Sequence, residues 1–224
     1  MTNKQIYELT AQTTPTATDV VAIDQAADNV TKKVQIQNLP KAFNVTAPVT
    51  NTGGTIAVSA ASTTAAGVVE ISIASEVNTG TDAARAVSPD ALAGSYAGSK
   101  NVQLTIADPA TTPSATGDGK VQVIVPAVLN GMDLVAAHAV VTTVSSSGTP
   151  TFAIRRERSG SAVDMLSTNI TIDANEKTSY TAATAPVINT SNDDVATGDI
   201  IYVDLDTVGT GAKGHAVVLT FRLP

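Results

Sequence analysis

Apolar residues recur with period two through the second half of the chain. Val102, Leu104 and Ile106 fall at alternate positions, as do Val121, Val123 and Val125. The same holds for Met132, Leu134, Ala136, His138 and Val140, then Phe152 and Ile154, then Leu166, Ile170 and Ile172. Ile201, Val203 and Leu205 follow, and Val217, Leu219, Phe221 and Leu223 close the series. Alternation of this kind is the mark of strands with one buried face. Turn chemistry separates the runs at Thr116 to Gly119, Asn130-Gly131, Ser145 to Pro150, Ser159 to Ser161, Asp173 to Lys177, Asn189 to Asp194 and Val208 to Gly214. Seven or eight such strands predict an antiparallel β-sandwich over 101–224, jelly-roll-like, and large enough to fold around its own core.

The first 45 residues read as a leader, a hairpin and a helical turn. Val21 and Ile23 alternate with Ala22 and Asp24, Ala26 to Asn29 supply the turn, and Val30, Lys32, Val34 and Ile36 continue the alternation. Asn38-Leu39-Pro40-Lys41 has a cap residue followed by proline in the first helical turn. One hairpin is marginal in water, so its apolar face needs a cover from elsewhere. A small module of this type, 1–45, is expected to be a docking piece.

Residues 46–100 carry a different texture. Val, Thr, Ala, Ser and Gly dominate, and Tyr96 and Leu92 are the segment's single aromatic and single leucine. In ASTTAAGVVEIS, residues 61–72, the side chains are too small to offset the roughly 1 to 2 kcal/mol per residue that ordering costs. Such a segment needs a partner. Short helical turns are expected at Thr81 to Arg85 and after Ser88-Pro89, where serine caps and proline opens the helix.

Composition sharpens these readings. Only seven of 224 residues are aromatic, so the chain is expected to rely on β-branched packing and backbone pairing, with room for subunit contacts, in place of the area that aromatic rings usually bury. The net charge of −7, with no run of Lys and Arg, argues against nucleic acid. Cysteine is absent, which removes disulfides and thiolate metal sites. The opening MTNKQIYELT lacks the apolar core of a secretory leader, and no window approaches 18 consecutive apolar residues, so neither secretion nor membrane insertion is expected.

Catalytic and ligand motifs are weak. Arg155, Arg156 and Arg158 form the densest basic cluster and are expected to lie along one strand, solvated or paired with Glu157 and Asp164. His138 and His215 both fall on the apolar phase of strands, as core or interface residues. Gly209 to Gly214 satisfies the dinucleotide fingerprint in spacing, yet no helix follows it, so a hairpin loop is expected. The acidic groups Asp173/Glu176, Asp193/Asp194 and Asp204/Asp206 lack a calcium-loop pattern. The expectation is no enzyme, no metal and no cofactor.

AASTTAAGVVEISIASEVNTGTDAARAVSPDALAGS, residues 60–95, resembles the repeat of tailed-bacteriophage tail fibres, in which A-S-T-T-x-x-G-V-V precedes G-T-D-x-x-R-A-V-[ST]-P-x-x-L. The matching positions include Gly67, Gly80-Thr81-Asp82, Arg85 and Ser88-Pro89. IYELTAQTTPTATDVVAIDQAADNVTKKVQIQNL is similar to N-terminal segments that attach phage fibres and spikes to the virion. The resemblance implies a homotrimer with a virion-docking module at 1–45, a trimeric neck with short helices at 46–100 and the sandwich at 101–224. Docking to other virion proteins would use Ile6, Leu9, Val21, Ile23, Val34, Ile36 and Leu39. The neck would gather Gly67, Val68, Val69, Ile71, Ile73 and Leu92 from three chains. It further implies a short tail or neck fibre, made in the host cytoplasm and carried on the virion, that adheres to a bacterial surface receptor. A capsid-decorating head fibre shares this architecture. A polysaccharide depolymerase is a third reading, opposed by the scarcity of aromatic platforms and the short chain.

Overall fold

The computed structural model describes the strands at 20–25, 30–35 and 49–52 and residues 55–113 and 115–224. It is mainly β, with several antiparallel sheets, and divides into two units. One comprises residues 1–71 and 82–86, the other residues 72–81 and 87–224.

In the first unit, β1 (Val20–Gln25) pairs antiparallel with β2 (Val30–Gln35), with Val21 opposite Val34 and Ile23 opposite Lys32. Ile6, Leu9, Ile36, Leu39 and the expected helical turn at 38–41 lie outside the described residues. A second hairpin joins β3 (Val49–Thr52) to β4 (Thr55–Val58). The segment 59–68 then closes on itself through Ala61 N–H to the Val68 carbonyl at 2.8 Å and Val68 N–H to the Ser59 carbonyl at 2.9 Å. The Ser62 hydroxyl accepts the Ala65 N–H at 3.1 Å, which fixes the tip.

Two short strands follow, β5 (Glu70–Ser72) and β6 (Arg85–Val87). Between them runs a helix that the small-residue texture does not announce, α1 (Ala74–Thr79). Glu76 accepts the Ile73 N–H at 3.0 Å at its start, and Gly80 ends it in the left-handed conformation, φ +64°. The expected turn at 81–85 is instead a bend in which Asp82 accepts the Ala84 N–H at 2.7 Å. α2 (Pro89–Ala93) begins as the sequence implies, with the Ser88 hydroxyl accepting the Ala91 N–H at 3.1 Å.

The remainder is sandwich-like. One sheet has the order β7-β16-β9, from β7 (Lys100–Thr105), β16 (Ala216–Arg222) and β9 (Asp133–Val140). The other runs β11-β10-β15-β8, from β11 (Ser161–Asp164), β10 (Thr151–Arg158), β15 (Ile200–Thr207) and β8 (Gly117–Ile124). β13 (Ile170–Thr171) also pairs with β10, while β12 (Leu166–Thr168) pairs with β14 (Val187–Ile188). Phe152, Ile154, Ile201, Val203 and Leu205 from one sheet meet Leu134, Ala137, Val217, Leu219 and Phe221 from the other in a single buried cluster. Burying each such side chain contributes roughly 1.5–3 kcal/mol, so this core dominates the unit's stability.

Several expectations are corrected here. Thr116 to Gly119, expected as a turn between strands, is mostly strand: β8 starts at Gly117, and a bulge opposite Val203 and Leu205 absorbs the glycines. In β9 an extra residue at Val135 shifts the pairing between Thr220 and Phe221. Beyond it Ala137 and Ala139 are buried, and Ala136, His138 and Val140 turn away from the core. His138 is half-buried and stacks on Tyr180, ring centroids 4.0 Å apart. Leu166, Ile170 and Ile172 do not form one strand, because β12 and β13 follow different partners. Gly209 to Gly214 is not a hairpin loop: it carries the chain from β15 in one sheet to β16 in the other.

The arginines also choose other partners. Arg155 binds Asp204 and lies 3.6 Å from Asp118. Arg156 is buried on the core-facing phase and bonds both the carbonyl and the carboxylate of Asp194, while Arg158 grips Asp199 at 2.7 Å and Asp194 at 2.9 Å. Hydrogen bonds from Arg158 hold the Asp199 carboxyl below its usual range. For Asp194, burial pushes upward, and the bonds from Arg156 and Arg158 outweigh it.

His215 is fully buried, with Nε2 3.0 Å from the Val208 carbonyl and Nδ1 without a partner. Burial lowers its pKa below 6.5, against the opposing hydrogen bond to Val208. The unfolded chain therefore protonates first, so this contribution is complete above pH 6.5 and is lost as pH falls from there towards the folded value. Asp194 and Asp199 contribute stability lost only below 3.8. Thermal melts should show a first decline in melting temperature below pH 6.5 that His215→Gln diminishes, with the more acidic decline unchanged.

Candidate subunit seam and distal loops

Within residues 60–95, Gly67 and Arg85 each have a specific structural task. Gly67 lies against the backbone of its own loop: a Cβ there would stand 2.4 Å from the Ser59 oxygen and 2.5 Å from Ala60 C and Ala61 N. Only glycine permits that approach. Arg85 bridges the two carboxylates, at 3.3 Å from Glu70 and 3.0 Å from Asp82, so the lone charge of residues 61–72 has its counter-ion within the same unit. Beside this bridge a shallow groove of about 190 Å3 is lined by small residues with Val69 at its wall.

The branched side chains of the segment stay uncovered. Val68, Val69, Ile71, Ile73 and Leu92 keep 46–63% of their surface exposed, and Val87 and Tyr96 are exposed as well. Among the nearby described residues only Ser72, Ala91 and Ser95 are buried. Backbone hydrogen bonds order this segment while its apolar side chains remain in water. In the hairpin 49–58, Ile56 and Val58 share that condition. Large apolar residues do not mark this hairpin in the sequence, although Gly53-Gly54 between alternating residues is a two-residue turn signal.

Of the residues expected from the sequence to dock, Val21 and Val34 are cross-strand partners and Ile23 is two residues further along β1.

In the sandwich the chain enters at Lys100, beside Phe221, and β7 runs to Thr105, beside Ala216. Three connections therefore gather at the end away from that entry: 106–116, 141–150 and 208–215. They are stitched together. The Thr142 hydroxyl donates to the Pro109 carbonyl at 2.7 Å and the Lys213 carbonyl at 3.0 Å, Ser146 N–H reaches the Thr210 carbonyl at 2.9 Å, and the Ser145 hydroxyl accepts the Thr210 N–H at 2.9 Å. The acidic groups noted in the sequence are occupied locally: Asp204 and Asp194 hold arginines, Asp173 accepts the Ala183 N–H at 2.8 Å, and Glu176 accepts the Thr181 hydroxyl. Among the described residues no group of three or more His, Asp or Glu side chains is arranged to hold a metal.

The chain matches no protein-family model, no curated protein and no solved structure. Its surfaces carry the functional signal. Among the described residues, Val68, Val69 and Ile71 form a run of uncovered branched side chains, and a hydrogen-bonded loop cluster lies at the sandwich end opposite the chain's entry.

Proposed function

We propose that the protein is a structural fibre of a tailed-bacteriophage virion, docked through its first 45 residues, trimeric through residues 46–100, and adhesive through the sandwich. The observation that carries this reading is the combination of an ordered backbone with exposed Val68, Val69 and Ile71, all within the first unit. Branched residues held in fixed positions on a hydrogen-bonded scaffold form a surface that gains free energy when another copy covers it, at roughly 25 cal/mol per Å2. Small neighbours such as Ala60, Ala61 and Ala84 allow backbones to approach closely. Three tips per fibre then turn weak receptor contacts into avidity. The hydrogen-bonded distal loops 141–150 and 208–215 would meet the bacterial surface.

The test is the absolute mass of the purified chain by light scattering. A value near three times 22.7 kDa is expected. A monomer at micromolar concentration would overturn the trimeric fibre.

A further inference from the structure

We propose that an open cleft on the outward face of the larger sheet binds a neutral, hydroxyl-rich ligand of the saccharide class. The cleft holds about 350 Å3 and is lined by Asp118, Gly119, Arg155, Glu157, Ala162 and Tyr202. Four strands build it. Arg155 and Glu157 stand two apart on β10, Tyr202 lies opposite Arg155 on β15, Ala162 lies opposite Glu157 on β11, and the bulge of β8 brings Asp118 and Gly119.

The walls are held without a ligand. The Tyr202 hydroxyl donates to Glu157 Oε2 at 3.0 Å, and the Arg155 guanidinium carbon is 6.0 Å from the centre of the tyrosine ring. Buried Asp204 grips Arg155 and also accepts the Gly119 N–H at 2.6 Å. A side chain at Gly119 would begin 3.4 Å from the ring, and φ there is +60°, so glycine both permits the bulge and leaves the ring uncovered. Prior positioning of this kind lowers the entropic cost of binding.

The chemistry selects the ligand. A sugar presents a C–H face to an aromatic ring and hydroxyls at its edge, and the carboxylates of Glu157 and Asp118 are strong acceptors for those hydroxyls. Arg155 gives two N–H bonds to Asp204 and lies 3.6 Å from Asp118, so its charge is already balanced by carboxylates and the lining residues offer an anion no excess positive charge. Asp118, Glu157 and Asp204 outnumber Arg155, which disfavours phosphates and acidic sugars. This assignment adds a contact beyond the distal loops proposed for adhesion, and it rests on the fibre reading only for the ligand's source. The cleft itself is complete within one chain.

The experiment is saturation-transfer NMR on the full chain with the methyl glycosides of glucose, galactose, mannose, rhamnose and N-acetylglucosamine as probes. Transfer to the ring protons of at least one is expected. Tyr202→Ala should weaken it about tenfold or more, the scale of losing one aromatic anchor, while Tyr202→Phe retains it. Ala162→Arg, on the exposed edge strand, should block the cleft with the sheet intact. Silence from all five probes, or transfer unchanged in both Tyr202→Ala and Ala162→Arg, overturns the assignment. A trimer without transfer defeats the cleft alone, and a monomer with transfer defeats the trimeric fibre alone.

Discussion

Gly214→Val is expected to unfold the sandwich or to cost about 2–5 kcal/mol, the sum of forcing a branched residue into left-handed backbone and overpacking its surroundings. The backbone at Gly214 has φ +63°, and a Cβ there would lie 2.2 Å from Thr142 Oγ1 and 2.7 Å from Pro109 Cα. The obstacle includes backbone, which cannot swing away. Thr142 in turn donates to the Pro109 and Lys213 carbonyls, so displacing it loosens three segments at once. A control separates conformation from crowding: Gly211 has φ +72° with nothing within 4 Å of an added methyl, so Gly211→Ala should cost about 1 kcal/mol. Urea denaturation of the two variants measures the difference. Equal midpoints would mean that the joint between loops 106–116, 141–150 and 208–215 is not tightly packed.

The second large effect concerns assembly. If the proposed trimer forms through this segment, Val69→Asp with Ile71→Asp should reduce the mass from about three chains to one, because each subunit would bring two unpaired carboxylates into an apolar seam, at several kcal/mol. Both side chains are exposed in the single chain, so the substitutions cost the isolated subunit little, and the melting transition of the sandwich should persist. Gly67→Val is less informative. It collides with Ser59, Ala60 and Ala61 of its own chain, so it disrupts the loop whether or not a partner is present. Light scattering and a thermal melt on the double variant decide the matter: an unchanged trimer would place the subunit contacts elsewhere.

How much of the fold is legible in the sequence depends on the kind of signal. The strands with large branched residues on one face, around Val102, Val121, Phe152, Ile201 and Val217, emerge directly from period-two alternation. Ser88-Pro89 announces its helix because the cap and the first turn are purely local. Two of the errors occur where an extra residue enters a strand. Val135 and the glycines at 117–119 are bulges, and the phase beyond a bulge is set by the partner strand. Hence alternation points His138 inward, although it stacks on Tyr180 outside the core.

The candidate cleft shows the same limit more sharply. Arg155 and Glu157 can be assigned to one face of a strand from spacing, but their partners Asp204, Asp118 and Tyr202 lie up to 49 residues away along the chain. Glu157 and Asp164 are the nearer carboxylates, and sequence distance favours them. The ladder instead sets Tyr202 directly opposite Arg155 and leaves Asp204 buried in the grip of the guanidinium.

By itself the sequence determined a β-rich chain with an antiparallel C-terminal sandwich, because alternation and turn chemistry are local and have only one way to bury their apolar face. It also determined that residues 61–73 cannot bury their own branched side chains. Tertiary structure alone decided which strands share a sheet, where the phase slips, and which arginine meets which aspartate. Those outcomes depend on strand pairing across dozens of residues, where hydrogen-bond register and core volume choose among partners that sequence proximity cannot rank.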